Sequence, residues 1–253
     1  MSARVMGILN VTPDSFSDGG QHFSLDDAVA YAREMAREGA DIIDIGGEST
    51  RPGAERVTLE EELRRTIPVI EALAPLGIAL SIDTMRAEVA RQAVNAGATI
   101  VNDVSGGKAD PEMLSTVAEL GCQYILMHWR GHSSLMNSLT QYENVVDDVI
   151  AEIESQMELA LEAGISQEKI AIDPGFGFAK DGPQNWEIID HIDRFIELGY
   201  PVLIGHSRKR FLGGDSSIER ESATVALTKK LADKDIWAFR VHNVAANKEA
   251  LQR

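Results

Sequence analysis

The amino-acid sequence predicts a single α/β domain over residues 1–253, folded as a (β/α)8 TIM barrel. The length of 253 residues is usual for one complete barrel of this kind. One unit recurs along the chain: an amphipathic helix pattern, a glycine, a short apolar run and then a polar residue. The apolar runs do not alternate with polar residues, which is typical of parallel strands covered on both faces. Such repeated alternation favours a barrel, with an open doubly wound sheet as the alternative.

The predicted elements follow one another in a regular order. The first apolar run covers residues 5–9 and the last covers residues 237–241. The runs between them follow glycines at which a helix must turn left-handed before the next strand: Gly39, Gly77, Gly97, Gly121, Gly164 and Gly199. Helix-start signals occur at residues 24–27 and, as a capping box, at residues 58–61. No low-complexity linker divides the sequence, so we expect one domain.

Composition and charge narrow the functional classes. Apolar residues make up 44% and charged residues 25%, which is typical of a globular protein and not of a disordered one. The net charge of −16 opposes non-specific binding to nucleic acid or anionic membranes, and we expect neither as a partner. The one cysteine, Cys122, excludes an intrachain disulfide and is expected to be a buried thiol. With no signal-peptide core at the start and no bilayer-length apolar run, the sequence predicts a cytoplasmic protein.

Most predicted strands end in a polar side chain. Any one of these residues can be explained as a cap for the following helix. The active site of such barrels lies at the C-terminal ends of the strands, however, so the set predicts a site on this rim: Asn10, Glu48, Asp83, Asn102, His128, Asp173, Ser207 and His242. Asp44 lies inside a strand, and we expect it to be a buried partner of a rim residue.

The chemistry of the rim divides into two groups. Asp83, Asn102 and Asp173 provide acceptors and an amide that suit a flat, donor-rich heterocycle. The other group is cationic or can become so, and suits a phosphate or carboxylate: Arg51, Lys209, Arg240 and His242. The sequence therefore predicts a substrate with a donor-rich ring and an anionic tail.

Three polar segments lie at the predicted catalytic face. Residues 10–23 and 46–57 form long polar loops after the first two strands, which is typical of lids or binding loops. Residues 205–212 follow a strand and are expected to open a helix, where backbone N–H groups and Ser207 can hold an anion.

Eight motifs occur along the chain between Gly7 and Val244: GILNVTPDSFSDGG, DIGGESTRPGA, SIDT, NDVSGG, MHWRG, DPGFGFAK, GHSRKRFLG and RVHNV. Together, and in this order, they resemble the signatures of the dihydropteroate synthase family of pterin-binding barrels. The resemblance implies a transferase of folate biosynthesis. It would join 6-hydroxymethyl-7,8-dihydropterin pyrophosphate to p-aminobenzoate, by SN1-like C–N bond formation, and release pyrophosphate.

The resemblance also implies a role for individual residues. The pterin would be held by five side chains: Asp83, Asn102, Asp173, Lys209 and Met127. The pyrophosphate would be held by Arg51, Arg240 and His242, with Mg²⁺, the implied cofactor, bound through Asn10. The p-aminobenzoate pocket would be shaped by five residues: Thr50, Pro52, Phe178, Ser207 and, on loop closure, Phe16. The residues implied to be catalytic are Asp83, Lys209, Arg51 and Asp173. A homodimer and a target of sulfonamides are implied as well.

One residue departs from the family pattern, and three alternative functions can be compared with the sequence. Asn243 stands where the family usually has Asp after the rim histidine. A methyltransferase that uses methyltetrahydrofolate would share the Asp and Asn ring but not the polar loops and cations. A non-catalytic pterin-binding paralogue would keep most signatures. A divalent-metal hydrolase would need clustered histidine ligands, which the sequence lacks.

Overall fold

A computed structural model of the chain describes residues 3–12, 25–48, 56–132 and 138–252. Within these ranges eight strands form one sheet: β1 (Arg4–Asn10), β2 (Ile42–Gly46), β3 (Ala79–Asp83), β4 (Ile100–Asp103), β5 (Gln123–Met127), β6 (Ile170–Asp173), β7 (Leu203–Ile204) and β8 (Ala238–Val241). All ladders are parallel, in the order β6-β5-β4-β3-β2-β1-β8-β7. A parallel bridge between Ile172 and Val202 joins β6 to the start of β7 and closes the barrel. The predicted (β/α)8 barrel is confirmed, and the doubly wound alternative is wrong.

Helices alternate with the strands and surround them. In the described residues they are α1 (Leu25–Arg37), α2 (Leu59–Leu73), α3 (Ala87–Ala96), α4 (Met113–Leu120), α5 (Val145–Glu162), α6 (Gly182–Asp190), α7 (Ile192–Ile196), α8 (Ser217–Leu231) and α9 (Val244–Leu251). None of the described helices combines the length and the hydrophobicity that crossing a bilayer requires.

Two apolar cores hold the barrel together. The larger core lies between the strands and the helices. At Gly7, for example, an added Cβ would lie 2.7 Å from Met35 Sδ and 3.0 Å from a methyl of Val244, so α1 and α9 approach β1 closely. The smaller core fills the lower interior of the barrel with one side chain from each of seven strands: Met6, Ile42, Ile100, Ile125, Ala171, Leu203 and Ala238. Above this apolar layer many inward-facing positions are polar, among them Asp44, Asp83, Asn102, Asp173 and Arg240.

The local signals of the sequence mostly act as predicted. All six predicted capping glycines have positive φ, from 61° at Gly121 to 123° at Gly97. The Thr58 hydroxyl accepts the N–H of Glu61 and caps α2, but the Glu61 carboxylate accepts from Arg64 and Arg65 on the same helix. Residues 210–212 form only a 3₁₀ turn, so the helix expected to open in residues 205–212 begins later, at Ser217.

Cys122 is a free, buried thiol, as predicted, and burial raises its pKa. It lines a cavity of about 490 Å³ with Arg4, Gln123 and Lys169. These residues lie at or just before the starts of strands, so the cavity opens at the N-terminal end of the barrel. Active sites of such barrels lie at the opposite end.

Candidate active site

The upper interior of the barrel holds a hydrogen-bonded group of charged side chains. The Arg240 guanidinium on β8 donates to Asp44 Oδ2 on β2 and to Asp83 Oδ2 on β3, both at 2.6 Å. Asn102 on β4 donates from Nδ2 to the same Asp44 oxygen at 3.1 Å. Asp44 is completely buried, so the prediction that it is the hidden partner of rim residues is confirmed.

Burial makes the charges of this group interdependent. Burial raises the pKa of Asp83 to about 7, with the nearby Asp44 carboxylate adding to the effect and Arg240 opposing it. For Arg240, burial alone would lower the pKa, but the Asp44 and Asp83 carboxylates outweigh burial and raise it. Arg240 therefore stays charged, while Asp83 changes its charge near neutral pH.

A third acid and a lysine face this group from the other side of the barrel. Asp173, at the end of β6, accepts the N–H of Gly175 through Oδ1 at 2.7 Å, and burial raises its pKa. Burial lowers the pKa of Lys209 to about 8, against the attraction of Asp173. The Lys209 ammonium also lies 4.1 Å from the centre of the Phe178 ring, which is a cation–π contact. The structure thus brings Asp83, Asp173, Lys209 and Arg240 together in the upper interior of the barrel.

Ser207 and His242 form a pair at the edge of the group. Ser207 Oγ lies 2.9 Å from His242 Nδ1 and accepts the backbone N–H of His242 at 3.1 Å. The side-chain oxygen of Asn243 accepts the N–H of Ala246 at 3.0 Å, so this residue caps α9. An amide oxygen serves as well as a carboxylate for that task.

Asn10 and Met127 lie at the same end of the barrel. A Cβ added to Gly46 would lie 3.8 Å from Asn10 Oδ1 and 3.6 Å from Asp83 Oδ2, so both oxygens border Gly46. Met127 is buried at the end of β5, level with Asp173 on β6. Four other predicted site residues lie outside the described residues: Phe16, Thr50, Arg51 and Pro52.

Glu48 is at the rim but is occupied by structural contacts. Its carboxylate accepts from Arg56 and Arg86 and from the N–H of Val57. Arg86 also binds Glu62 and donates to the Val57 carbonyl at 2.5 Å. These bonds tie together the two ends of the loop that follows β2. No pattern in the sequence indicates that Arg86 contacts this loop.

His128 does not face the site, which corrects its prediction as a rim residue. It follows Met127 on β5, and successive residues of a strand point to opposite faces. Its completely buried ring therefore faces the helices and contacts Glu152 on α5 and Lys180. Burial lowers the pKa of His128 to about 3. Lys180 lies within the DPGFGFAK motif but was not among the predicted site residues, although a lysine in a mostly apolar loop was an available signal.

The donor set at the rim is compatible with Mg²⁺ bound mainly by substrate. The described residues include no cluster of three or more His, Cys, Asp or Glu side chains arranged to hold a metal. Mg²⁺ in phosphate-transfer sites commonly keeps several waters and takes one or two protein oxygens together with substrate phosphates. The amide oxygen of Asn10, beside the Asp83 carboxylate, fits such a role.

Several known proteins are similar to this chain in fold and in sequence. A family model described as pterin binding enzyme matches residues 6–242. The dihydropteroate synthase of Mycobacterium leprae is 46% identical over 263 residues, covering 98% of this chain and 91% of that protein. The Xanthomonas albilineans dihydropteroate synthase, solved with 4-aminobenzoic acid, has a TM-score of 0.92 at 45% identity, covering 99% of this chain and 91% of that one. The same enzyme was also solved with 7,8-dihydropteroate. The Yersinia pestis enzyme, solved with a sulfonamide drug, has a TM-score of 0.94 at 39% identity, covering 99% and 92% of the two chains.

Proposed function

The chain belongs to the dihydropteroate synthases, pterin-binding enzymes of folate biosynthesis, and we propose a role for each side chain of its barrel in that reaction. The reaction joins 6-hydroxymethyl-7,8-dihydropterin pyrophosphate to p-aminobenzoate. The observation that carries the assignment is the contact of Arg240 with both Asp44 and Asp83 inside a polar layer that also contains Asn102, Asp173 and Lys209.

The polar layer is the proposed pterin pocket. The pterin edge presents N–H donors, which carboxylates and an amide oxygen can accept, and ring nitrogens and a carbonyl, which a lysine can approach. The residues proposed for this contact are Asp83, Asn102, Asp173 and Lys209, with Met127 packing on the ring. Burial of the pocket strengthens each such hydrogen bond.

The pyrophosphate is proposed to lie at the mouth of the barrel against Arg51, Arg240 and His242. Asn10 would hold Mg²⁺ there, and the positive charge of the metal would stabilise the departing pyrophosphate. The Ser207 hydroxyl fixes the position of the His242 ring next to this mouth. The cations here stabilise the negative charge that develops on the leaving group.

The p-aminobenzoate site is proposed to involve Phe178 and Ser207 together with Thr50, Pro52 and Phe16 of the two loops. Two observations support it: the Xanthomonas albilineans relative was solved with 4-aminobenzoic acid, and Phe178 contacts Lys209 at the edge of the pterin pocket. By the same reasoning, and with the Yersinia pestis structure in complex with a sulfonamide drug, we propose that sulfonamides bind this site.

The proposed chemistry is SN1-like. The C–O bond to pyrophosphate breaks first and its electron pair leaves with the pyrophosphate. The positive charge remains on the methylene and spreads into the pterin ring, where the Asp83 carboxylate offsets it. The neutral amine of p-aminobenzoate then forms the C–N bond through its lone pair and loses a proton. Catalytic roles are thus proposed for Asp83, Asp173, Lys209 and Arg51.

Three broader features are proposed with this function. Residues 1–253 form a single domain, supported by the barrel that extends from β1 to β8. The enzyme is a homodimer, supported by exposed apolar side chains on late helices, Trp186 on α6 and Ile218 on α8. The enzyme works in the cytoplasm, which the single cysteine supports. Sedimentation of the purified protein tests the dimer directly.

A product assay tests the proposal. The protein is incubated with the pterin pyrophosphate, p-aminobenzoate and Mg²⁺, and dihydropteroate and pyrophosphate are measured. We expect both products in equal amounts. A folded protein that binds the pterin but releases neither product would instead be a non-catalytic paralogue. Transfer of a methyl group from methyltetrahydrofolate would indicate the related methyltransferase.

A further inference from the structure

Lys180 is buried behind the proposed pterin pocket, in the loop that follows β6. Its ammonium lies 2.9 Å from His128 Nδ1, 3.1 Å from the carbonyl of Phe178 and 3.2 Å from the carbonyl of Gly175. An ammonium has three N–H donors, and each is matched to one of these three acceptors. Lys180 therefore fills its hydrogen-bonding capacity with the loop and with β5.

The hydrogen bonds beyond Lys180 have a defined direction. Because the lysine ammonium can only donate, His128 accepts at Nδ1 and carries its proton on Nε2. The Nε2–H then donates to the Glu152 carboxylate at 2.9 Å. Arg130 donates to the same carboxylate. A carboxylate facing Nε2 thus fixes the histidine tautomer that accepts from Lys180.

The loop bound by Lys180 has an unusual backbone. Gly175 and Gly177 have φ of 72° and 73°, and Ala179 has φ of 48°, a left-handed conformation that is costly for a residue with a Cβ. The Tyr142 hydroxyl donates to the Ala179 carbonyl, and Asn185 accepts the N–H of Gly177. Such a loop keeps its shape only where its surroundings hold it.

The shape of this loop places two proposed substrate contacts. Phe178, whose carbonyl binds Lys180, presents its ring to Lys209. A Cβ added to Gly177 would lie 3.0 Å from Lys209 Cδ, so the loop and the lysine are in close contact. Gly175 donates to Asp173 at the start of the same loop. A shift of the Lys180 anchor would therefore move Phe178 relative to Lys209.

We propose that Lys180 is a positioning residue for the p-aminobenzoate site, acting with His128 and Glu152 to hold the loop that places Phe178 against Lys209. This inference rests on the proposed function, because it takes Phe178 to contact p-aminobenzoate. The three residues do not touch the substrates. Their effect reaches the reaction through the position of the Phe178 ring.

The charge on Lys180 is sensitive to its surroundings. Burial lowers the pKa of Lys180 to about 7, while Asp173 and Glu152 oppose this effect and Arg130 and Lys209 reinforce it. The neutral His128 adjoins it directly. When Lys180 loses its proton it keeps two donors for three acceptors. The hold on the loop therefore weakens as pH rises through about 7.

The test replaces Lys180 with methionine, which has similar length and no donors. We expect KM for p-aminobenzoate to rise about tenfold or more, with a much smaller change in KM for the pterin pyrophosphate, because a displaced contact residue weakens one substrate site. The rise of this KM with pH through 7 in the wild type should be reduced in Lys180→Met. Lys234→Met, which removes an exposed ion pair with Asp193, is the matched control and should leave both KM values unchanged.

Glu152→Gln provides an independent variant, because it keeps the shape but removes the charge that fixes the His128 tautomer. We expect the same selective rise in KM, of smaller size, and little further rise when the change is added to Lys180→Met. Circular dichroism reports folding, and if Lys180→Met does not fold, Glu152→Gln alone decides. Unchanged or equally raised KM values for the two substrates in the folded variants, or fully additive effects, would overturn the proposal. Failure of the wild type to form dihydropteroate would instead reject the proposed function.

Discussion

Arg240 lies between two carboxylates that differ in their exposure to solvent and in their proposed roles. Asp44 is completely buried below it, and Asp83 lies closer to the open end of the barrel. Asp44 therefore positions the arginine, while Asp83 is the carboxylate proposed to contact the pterin ring. The same ion triad thus contains one structural acid and one proposed functional acid.

Asp83→Asn is expected to keep the fold and lose most turnover, because an amide can bond to Arg240 but cannot offset the charge on the pterin cation. In the wild type, kcat/KM for the pterin pyrophosphate should rise with pH through about 7, since the pKa of Asp83 is raised to about 7 and the carboxylate is the proposed active form. That part of the pH profile should be absent from the residual activity of the variant. Wild-type turnover by a folded Asp83→Asn protein would refute the role of this carboxylate.

Asp44→Asn should mainly affect stability. It leaves Arg240 with one carboxylate, and losing one ionic hydrogen bond inside the protein costs roughly 1–3 kcal/mol of the free energy of unfolding. Urea unfolding measures this loss in the free energy of unfolding. Asp147→Asn, which breaks an exposed pair with Arg194, should change it by no more than about 0.5 kcal/mol. Equal effects of the two changes would show that burial of Asp44 does not matter.

Among the structural elements, the strands carry the buried residues of the site, and the loops after them carry the other proposed substrate contacts. Arg86, just before α3, joins Glu48 at the start of the loop after β2 to Val57 at its end. Burial raises the pKa of Glu62, the third partner of this arginine, against the effects of Thr84 and Arg86. We call the hydrogen-bonded group of Arg86, Glu48, Val57 and Glu62 the clasp. Because Glu48 and Val57 lie at the two ends of the loop, the clasp fixes both ends of a segment that carries proposed substrate contacts.

Arg86→Met should release the ends of this loop. We expect KM for p-aminobenzoate to rise about tenfold, since the proposed contacts Thr50 and Pro52 lie between the two fixed ends. Initial rates at varied p-aminobenzoate measure the change. Arg91→Met removes an exposed contact with Glu119 on α4 and serves as the control. A normal KM in folded Arg86→Met would show that the clasp does not shape the p-aminobenzoate site.

At the scale of the whole molecule, acid stability depends on histidines buried in neutral form. Burial lowers the pKa of His206 to about 4, against hydrogen bonds to backbone groups that raise it. His206 faces α8, where its Nε2 contacts the Thr224 carbonyl and the Thr228 hydroxyl. The unfolded chain, with the ordinary histidine pKa near 6.5, binds a proton between these pH values that the folded chain does not.

The contribution of His206 to the free energy of unfolding should therefore fall as pH drops from about 6.5 toward 4. His206→Gln keeps a donor near Nε2 but does not titrate, so it should lose about 1–2 kcal/mol less than the wild type between pH 7 and pH 5. Denaturant unfolding at the two pH values gives the difference, and buried acids such as Asp83, which act in the opposite sense, cancel in the comparison. Parallel losses in both proteins would contradict a neutral His206.

The barrel and part of its site could be predicted because their signals are local. Positive φ at Gly39 and the other capping glycines follows from the need to turn at a helix end. The buried position of Asp44 followed from an acid placed inside an apolar run. Asp83, Asn102 and Asp173 followed from the rule that sites lie at the C-terminal ends of barrel strands.

The order of residues along the chain is enough to specify the alternation of strands and helices, the capping glycines and the polar residues at the strand ends. Which of those residues share a pocket depends on strand register in the folded barrel. Met127 pairs with Asp173 and both point inward, so His128, the next residue, points outward. The tertiary structure also decides the partners of Lys180 and Arg86. Their contacts join residues 52 and 38 positions apart in the chain. A local sequence pattern does not show such contacts, because they form only when the barrel closes.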